Sequence, residues 1–129
     1  MSEVRVILDT NFLLIPGSHG VDIFDDLDRV LNQDYKIIIP SAVIRELKYL
    51  MSEGTSSERS AARLALEMAS EGEIAEVGGP ADDEILKLAK KGRSAVGTND
   101  ADLRKRLRAE GIPTIYLRQK SHLAVNGKI

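Results

Sequence analysis

Val6-Ile7-Leu8-Asp9-Thr10-Asn11 sets the frame for the whole chain. Three consecutive apolar residues run into a carboxylate and then two small polar side chains. A segment apolar on both faces reads as a fully buried strand, the kind found inside a parallel sheet. In such sheets ligands collect just beyond the carboxyl ends of the strands, at the point where strand order reverses. Asp9 is predicted there, so the function turns on whether other acids arrive beside it.

Working outward, residues 4–8 form the first strand. Pro16, Gly17 and Gly20 predict an irregular loop over 15–20. Helical spacing resumes over 21–31, with Asp22, Asp25 and Asp26 at the dipole-favoured start. Lys36-Ile37-Ile38-Ile39-Pro40 is a β-branched second strand stopped by proline. Ser41 is expected to cap a helix to about residue 51, with Val43, Leu47 and Leu50 on its apolar side. Thr55-Ser56-Ser57-Glu58 has capping-box spacing and opens a third helix to about residue 70, ended by Gly72. A short strand over 74–77, a helix over 82–91, a strand over 94–97, a helix over 99–110 and a strand over 114–117 follow. In the 99–110 helix Leu103 and Leu107 point to the core, while Arg104, Lys105 and Arg108 face water. The tail from Arg118 has no firm pattern. This alternation predicts one α/β domain over residues 1–129, a three-layer α/β/α sandwich around a central parallel sheet of about five strands.

Composition narrows the chemistry. A chain of 129 residues without cysteine holds neither disulfides nor thiolate metal sites, and only His19 and His122 could supply imidazole. No apolar stretch is long enough to span a membrane, and the N-terminus leads straight into a strand, so a cytoplasmic protein is expected. The net charge of -2 hides an asymmetry. Residues 1–86 carry seven Lys/Arg against seventeen Asp/Glu, and residues 87–129 eleven against three. An acidic site beside a basic flank suits a polyanion handled through metal ions.

The acids fall where the scaffold would gather them. Asp9 ends the first strand, Glu46 lies in the first turns of the helix after the second, Asp82 opens the helix after the third, and Asp100 opens the helix after the fourth. Each has a plain structural use alone, as a cap or a helix-start residue. Together they crowd one sheet edge, and two carboxylates about 4 Å apart repel by about 1–4 kcal/mol. A hard divalent cation removes that penalty. Mg²⁺ or Mn²⁺ suits an all-oxygen site and takes remaining ligands from water and substrate phosphates. This is the logic of metal-assisted phosphodiester hydrolysis. The run Arg104-Lys105-Arg106-Leu107-Arg108, with Arg118 and Lys120, is placed to bind flanking phosphates.

Leu8-Asp9-Thr10-Asn11, Glu46 after Ile37-Ile38-Ile39-Pro40, Ala81-Asp82-Asp83-Glu84-Ile85-Leu86, and Gly97-Thr98-Asn99-Asp100-Ala101-Asp102-Leu103, in that order, resemble a PIN domain, the fold of toxin nucleases and rRNA-processing nucleases. The resemblance covers about residues 4–117. It implies a metal-dependent endoribonuclease in which Asp9, Glu46, Asp82 and Asp100 are the catalytic acids, and Asp9, Asp82 and Asp100 hold the Mg²⁺ or Mn²⁺. Thr10, Asn11 and Thr98 match small polar residues that orient a carboxylate or a metal-bound water. The Asp82-Asp83 doublet permits either register, with Asp82 favoured because it puts Ile85, Leu86 and Ala89 at the family's apolar positions. Asp102 is either a supporting acid or a helix-start residue. Arg104, Lys105, Arg108 and Arg118 are the expected RNA contacts.

Within that family the segment from Thr98 to Tyr116 looks most like the small-subunit rRNA-processing subgroup. An rRNA precursor is then the expected partner, with ribosome-assembly proteins and a second copy of the chain as further candidates. A toxin-type ribonuclease paired with an antitoxin uses the same residues, and a catalytically weak metal- and RNA-binding scaffold is the non-enzymatic alternative. A receiver domain is disfavoured because Asp9 lacks an acidic neighbour and no lysine follows the fifth strand. A phosphatase with two aspartates after the first strand is excluded by Asn11.

Overall fold

The computed structural model describes residues 3–129. Its elements in chain order are β1 (Val4–Leu8), α1 (Thr10–Leu13), α2 (Ile15–His19), α3 (Ile23–Leu31), β2 (Tyr35–Pro40), α4 (Ser41–Glu53) and α5 (Ser56–Ala69). There follow β3 (Glu73–Ala75), α6 (Ala81–Ala89), β4 (Ser94–Gly97), α7 (Ala101–Ala109), β5 (Thr114–Arg118) and β6 (His122–Asn126). The strands form one six-stranded sheet in the order β3-β2-β1-β4-β5-β6. All neighbours are parallel except β5 and β6.

β1 is the central strand because it is apolar on both faces. Val4, Val6 and Leu8 pack into a core with Phe12, Leu13, Ile15, Leu27, Val43, Leu47 and the alanines of α5, on the side covered by α1 to α5. Ile7 points the other way, into a smaller core with Ile38, Ile85, Leu88, Val96, Leu103 and Leu107 beneath α6 and α7. The sandwich therefore has its expected three layers, with the thicker helical layer on the Val6 side.

Local structure departs from the sequence reading in several places. The stretch over 15–20 is not an irregular loop: it forms α2, with Pro16 in the first turn and Gly20 ending it at φ 68°. Proline costs nothing there, since its missing N–H would lack a helical partner anyway, and glycine supplies the left-handed stop. Gly17 is also needed for packing, because a Cβ at that position would lie 2.6 Å from Ala61 Cα of α5. Pro40, not Ser41, is the N-cap of α4. Ser70, not Gly72, ends α5, and the Thr55–Glu58 capping box is present with both of its bonds. Asp100 is the N-cap of α7, whose helix starts at Ala101 rather than at 99.

The largest addition is β6, which pairs antiparallel to β5 from Thr114↔Asn126 to Arg118↔His122. The turn between them places Gln119 and Lys120 at φ 55° and 58°, and Ser121 N–H bonds to the Arg118 carbonyl at 3.2 Å. Two consecutive positive φ values belong to the tight hairpin turn usually written Asn-Gly, so Gln-Lys gave no signal. The strand is held from α3: Leu123 N–H donates to Asp26 Oδ2 at 2.8 Å, and Arg29 Nη2 donates to the Leu123 carbonyl at 3.1 Å. Among the described residues, no helix is long and apolar enough to cross a membrane.

Candidate active site

Strand order reverses between β2 and β4 on either side of β1, so the crevice lies beyond the carboxyl ends of β1 and β4. Asp9 stands there. Its N–H donates to the Gly97 carbonyl at 2.9 Å, the last link between the two strands. Its side chain is 5 % exposed and caps α1, Oδ1 accepting the Thr10 N–H at 2.8 Å. Oδ2 accepts from Thr98 Oγ1 at 2.8 Å and from Asn11 Nδ2 at 3.2 Å. Burial raises the Asp9 pKa, the Thr98 and Thr10 hydrogen bonds pull it back, and Asp82 and Glu46 push it up again. The net direction is upward.

The polar residues around Asp9 tie three strand ends together. Thr98 is fully buried, and its hydroxyl gives its proton to Asp9 while accepting the Asp100 N–H at 3.1 Å. Asn11 Oδ1 accepts the Asn99 N–H at 2.8 Å, and Asn99 Oδ1 accepts the Leu117 N–H at 2.8 Å. β1, β4 and β5 are thus fixed relative to one another at the edge where the acids gather. Sequence reading had passed over Asn99 in this bridging role, because asparagine before a helix reads first as a cap.

The remaining acids reach this edge from the helices. Glu46 is exposed on α4, one turn above its start, and Oε2 accepts the Thr10 hydroxyl at 2.7 Å. Asp82 opens α6, and its pKa is raised by burial first, then by Asp100, with Asp83 and Asp102 adding to the push and Arg106 opposing it. Asp83 is turned into a 3.0 Å ion pair with Arg106, both side chains about half exposed. Arg106 acts on both members of the doublet, pairing directly with Asp83, while Asp82 also feels Asp100. Asp100 uses Oδ1 to cap α7, accepting the N–H groups of Asp102 and Leu103 at 2.9 and 3.1 Å. Asp102 is exposed in the same first turn.

Burial is the main cause that holds the Asp9 and Asp82 pKa values up, and neighbouring acids add to it at both, as expected where acids share a field that a cation would relieve. Among the described residues, no three acids or histidines are drawn close enough to form a metal cage by themselves. The donor set is open, all-oxygen and anionic. That fits Mg²⁺ or Mn²⁺, which keep waters and use one or two protein carboxylates plus substrate phosphates.

Of the basic residues, Lys105, Arg108 and Arg118 are exposed. Arg104 does not simply face water: its guanidinium lies over the Tyr116 ring at 4.6 Å, and its Nε is shielded with no hydrogen-bond partner. Arg106 is engaged by Asp83.

Glu84 is the acid that sequence reading missed. It is fully buried, and its carboxylate accepts the N–H groups of Ala42 at 2.9 Å, Val77 at 3.2 Å and Gly78 at 3.0 Å, with the Ser41 hydroxyl at 3.1 Å. Burial pushes its pKa up, but these bonds outweigh it and the net shift is downward. The signal was present: Glu84 and Leu88 share a helical face four residues apart, so an acid occupies an inward position.

A family model described as "PIN like domain" matches residues 6–120 of the chain. The chain belongs to the PIN like domain family. The match spans every strand end that carries an acid of this PIN domain. Among its relatives, "Ribonuclease VapC4" of Methanocaldococcus jannaschii is 30% identical over 129 residues, covering 97% of this chain and 98% of the relative. "Ribonuclease VapC9" of Archaeoglobus fulgidus is 28% identical over 125 residues, covering 96% and 91%. Among solved structures, the PIN domain endonuclease Utp24 superposes with a TM-score of 0.76 at 27% identity, covering 97% of this chain and 92% of that one.

Proposed function

We propose that this PIN domain is a cytoplasmic, Mg²⁺- or Mn²⁺-dependent endoribonuclease. Asp9, Asp82 and Asp100 would hold the ion, directly or through its waters, and Glu46 completes the acidic set. The observation that carries the proposal is the convergence of these four side chains on one switch-point edge, where burial raises the pKa values of Asp9 and Asp82 and neighbouring acids add to the push. When bound, such an ion supplies an activated water and offsets charge at the phosphate. The chain's own part is positioning. Thr98, Asn11 and the Thr10 N–H fix the Asp9 carboxylate, and Thr10 Oγ1 fixes Glu46. Lys105, Arg108 and Arg118 bind flanking phosphates. Relatives named as ribonucleases and as a PIN endonuclease support this reading.

For the RNA, two readings stand side by side. The superposition on Utp24 supports an rRNA precursor as substrate, with ribosome-assembly proteins as partners. The two full-length relatives named VapC support a toxin-type ribonuclease at least as well, with an antitoxin as partner. The test is cleavage of a structured pre-rRNA with and without Mn²⁺, with Asp9→Asn as control. Metal-dependent cleavage abolished by Asp9→Asn is expected. Equal cleavage by both proteins would assign the activity to a contaminant. Growth arrest on expression that is lost with Asp9→Asn selects the toxin-type reading over rRNA processing.

A further inference from the structure

We propose that Glu84 is a positioning residue for the acidic site: its buried carboxylate braces α4 against α6 and so sets the spacing between Glu46 and Asp82 before a cation binds. The inference rests on the metal-site reading above.

The two elements that Glu84 joins are the two that bring these acids in. One carboxylate oxygen takes the Ala42 N–H at the start of α4, four residues before Glu46. The other takes the Val77 and Gly78 N–H groups, which lead into α6 just before Asp82, together with the Ser41 hydroxyl. Asp9 lies between Glu46 and Asp82 electrostatically and repels both. In the metal-free protein that repulsion acts to spread α4 and α6 apart, and the nearby cation of α4, Arg45, is spent on an exposed 4.0 Å pair with Glu76. The brace holds without a cation because its partners are backbone amides: an ionised carboxylate near a helix N-terminus is favoured by unpaired N–H groups and by the helix dipole.

Only an acceptor on both oxygens can do this. Glutamine keeps the shape and can still accept from Ala42, but its amide nitrogen would then face the Val77 and Gly78 donors. Those N–H groups would lose their acceptor, and the lead-in to α6 would be released.

The test is calorimetric titration of Mn²⁺ into metal-free wild type, Glu84→Gln and Leu27→Ala, with circular dichroism to establish folding. Leu27→Ala opens a cavity in the core between the sheet and α1 to α5 without removing any of Glu84's bonds, and controls for lost stability alone. The expected result is Mn²⁺ binding weakened about 10-fold or more in folded Glu84→Gln, the usual scale for a residue that orients ligands. Leu27→Ala should bind as wild type does. Wild-type affinity in folded Glu84→Gln overturns the brace, as does equal weakening in Leu27→Ala. If wild type itself binds no Mn²⁺, the metal-site reading fails and the brace falls with it, a result distinct from the first two. Should Glu84→Gln not fold, Ser41→Ala removes one of the four bonds; weakened Mn²⁺ binding then supports the brace and unchanged binding overturns it.

Discussion

Thr98 and Asp9 are 89 positions apart in the chain and joined by a 2.8 Å hydrogen bond between buried atoms. The same hydroxyl accepts the Asp100 N–H, so the first and last acids of the site are linked through one threonine. A hydrogen bond to a charged group contributes about 1.5–3 kcal/mol, and one pKa unit corresponds to about 1.4 kcal/mol. Because the Thr98 bond pulls the Asp9 pKa down against burial, Thr98→Val should raise it further. The acid limb of the pH–rate profile should move up by about one unit, while Thr98→Ser keeps the wild-type profile. An unmoved acid limb in folded Thr98→Val would separate Asp9 ionisation from this bond.

Metal-free stability should depend on pH in two directions. Asp9 and Asp82 have folded pKa values above the ordinary carboxylate value, so the folded state binds their protons more tightly. Stability therefore rises as pH falls from neutral toward the usual carboxylate range. Asp26, held by the Leu123 N–H, and Glu84 are shifted downward. Their contribution is complete above the unfolded value and is lost as pH falls through the folded one. Melting curves in chelator should pass through a maximum on the acid side of neutral, and saturating Mn²⁺ should flatten the neutral side. A melting temperature that falls steadily from pH 7 downward would contradict the raised acids.

Asp100 serves two purposes that substitution can separate. Asparagine is as good an N-cap as aspartate, so Asp100→Asn keeps α7 capped while removing the charge that pushes on Asp82. In chelator this variant should melt above wild type. Asp100→Ala removes both and should melt below Asp100→Asn by the value of a cap, about 1 kcal/mol. Both variants should bind Mn²⁺ more weakly. A melting temperature for Asp100→Asn at or below wild type would count against carboxylate repulsion.

The Asp82-Asp83 ambiguity has a geometric resolution to test. Asp83 is paired with Arg106 at 3.0 Å, and an exposed ion pair contributes only about 0–1 kcal/mol. Asp83→Asn should therefore keep cleavage within about fivefold of wild type. Asp82→Asn should remove detectable cleavage while remaining folded. The reverse pattern would transfer the ligand role to Asp83.

Much of this was written in local sequence. The run of β1 that is apolar on both faces, the β-branched run of β2 and the capping box of α5 each specify their element without help from distant residues. The acids were legible because strand ends and helix starts place side chains predictably. What stayed hidden depended on partners remote in sequence. β6 is fixed by Asp26 and Arg29 almost a hundred positions away, and its hairpin turn uses residues that do not advertise a positive φ. Glu84 looks like one more helix-start acid until Ser41 and Ala42 of α4 arrive to bond it. The stacking of Arg104 over Tyr116 needed the register of α7 on β5, which helical periodicity alone leaves open.

That stacking divides the basic residues in their expected response to salt. Lys105, Arg108 and Arg118 are exposed cations, and each phosphate they neutralise releases counterions. Alanine at any one should weaken RNA binding and lower the slope of log K against log salt by about 0.7 for a single-stranded substrate. The rate at saturating RNA should stay unchanged, because none of the three supports an acid of the site. Arg104→Ala should behave differently. It removes a guanidinium stacked on Tyr116, worth about 0.5–2 kcal/mol, so melting temperature should fall together with any change in binding. Binding measured across a salt series, with melting temperature beside it, distinguishes the two classes. An unchanged salt slope in all three exposed variants would move the RNA path off this face of the domain.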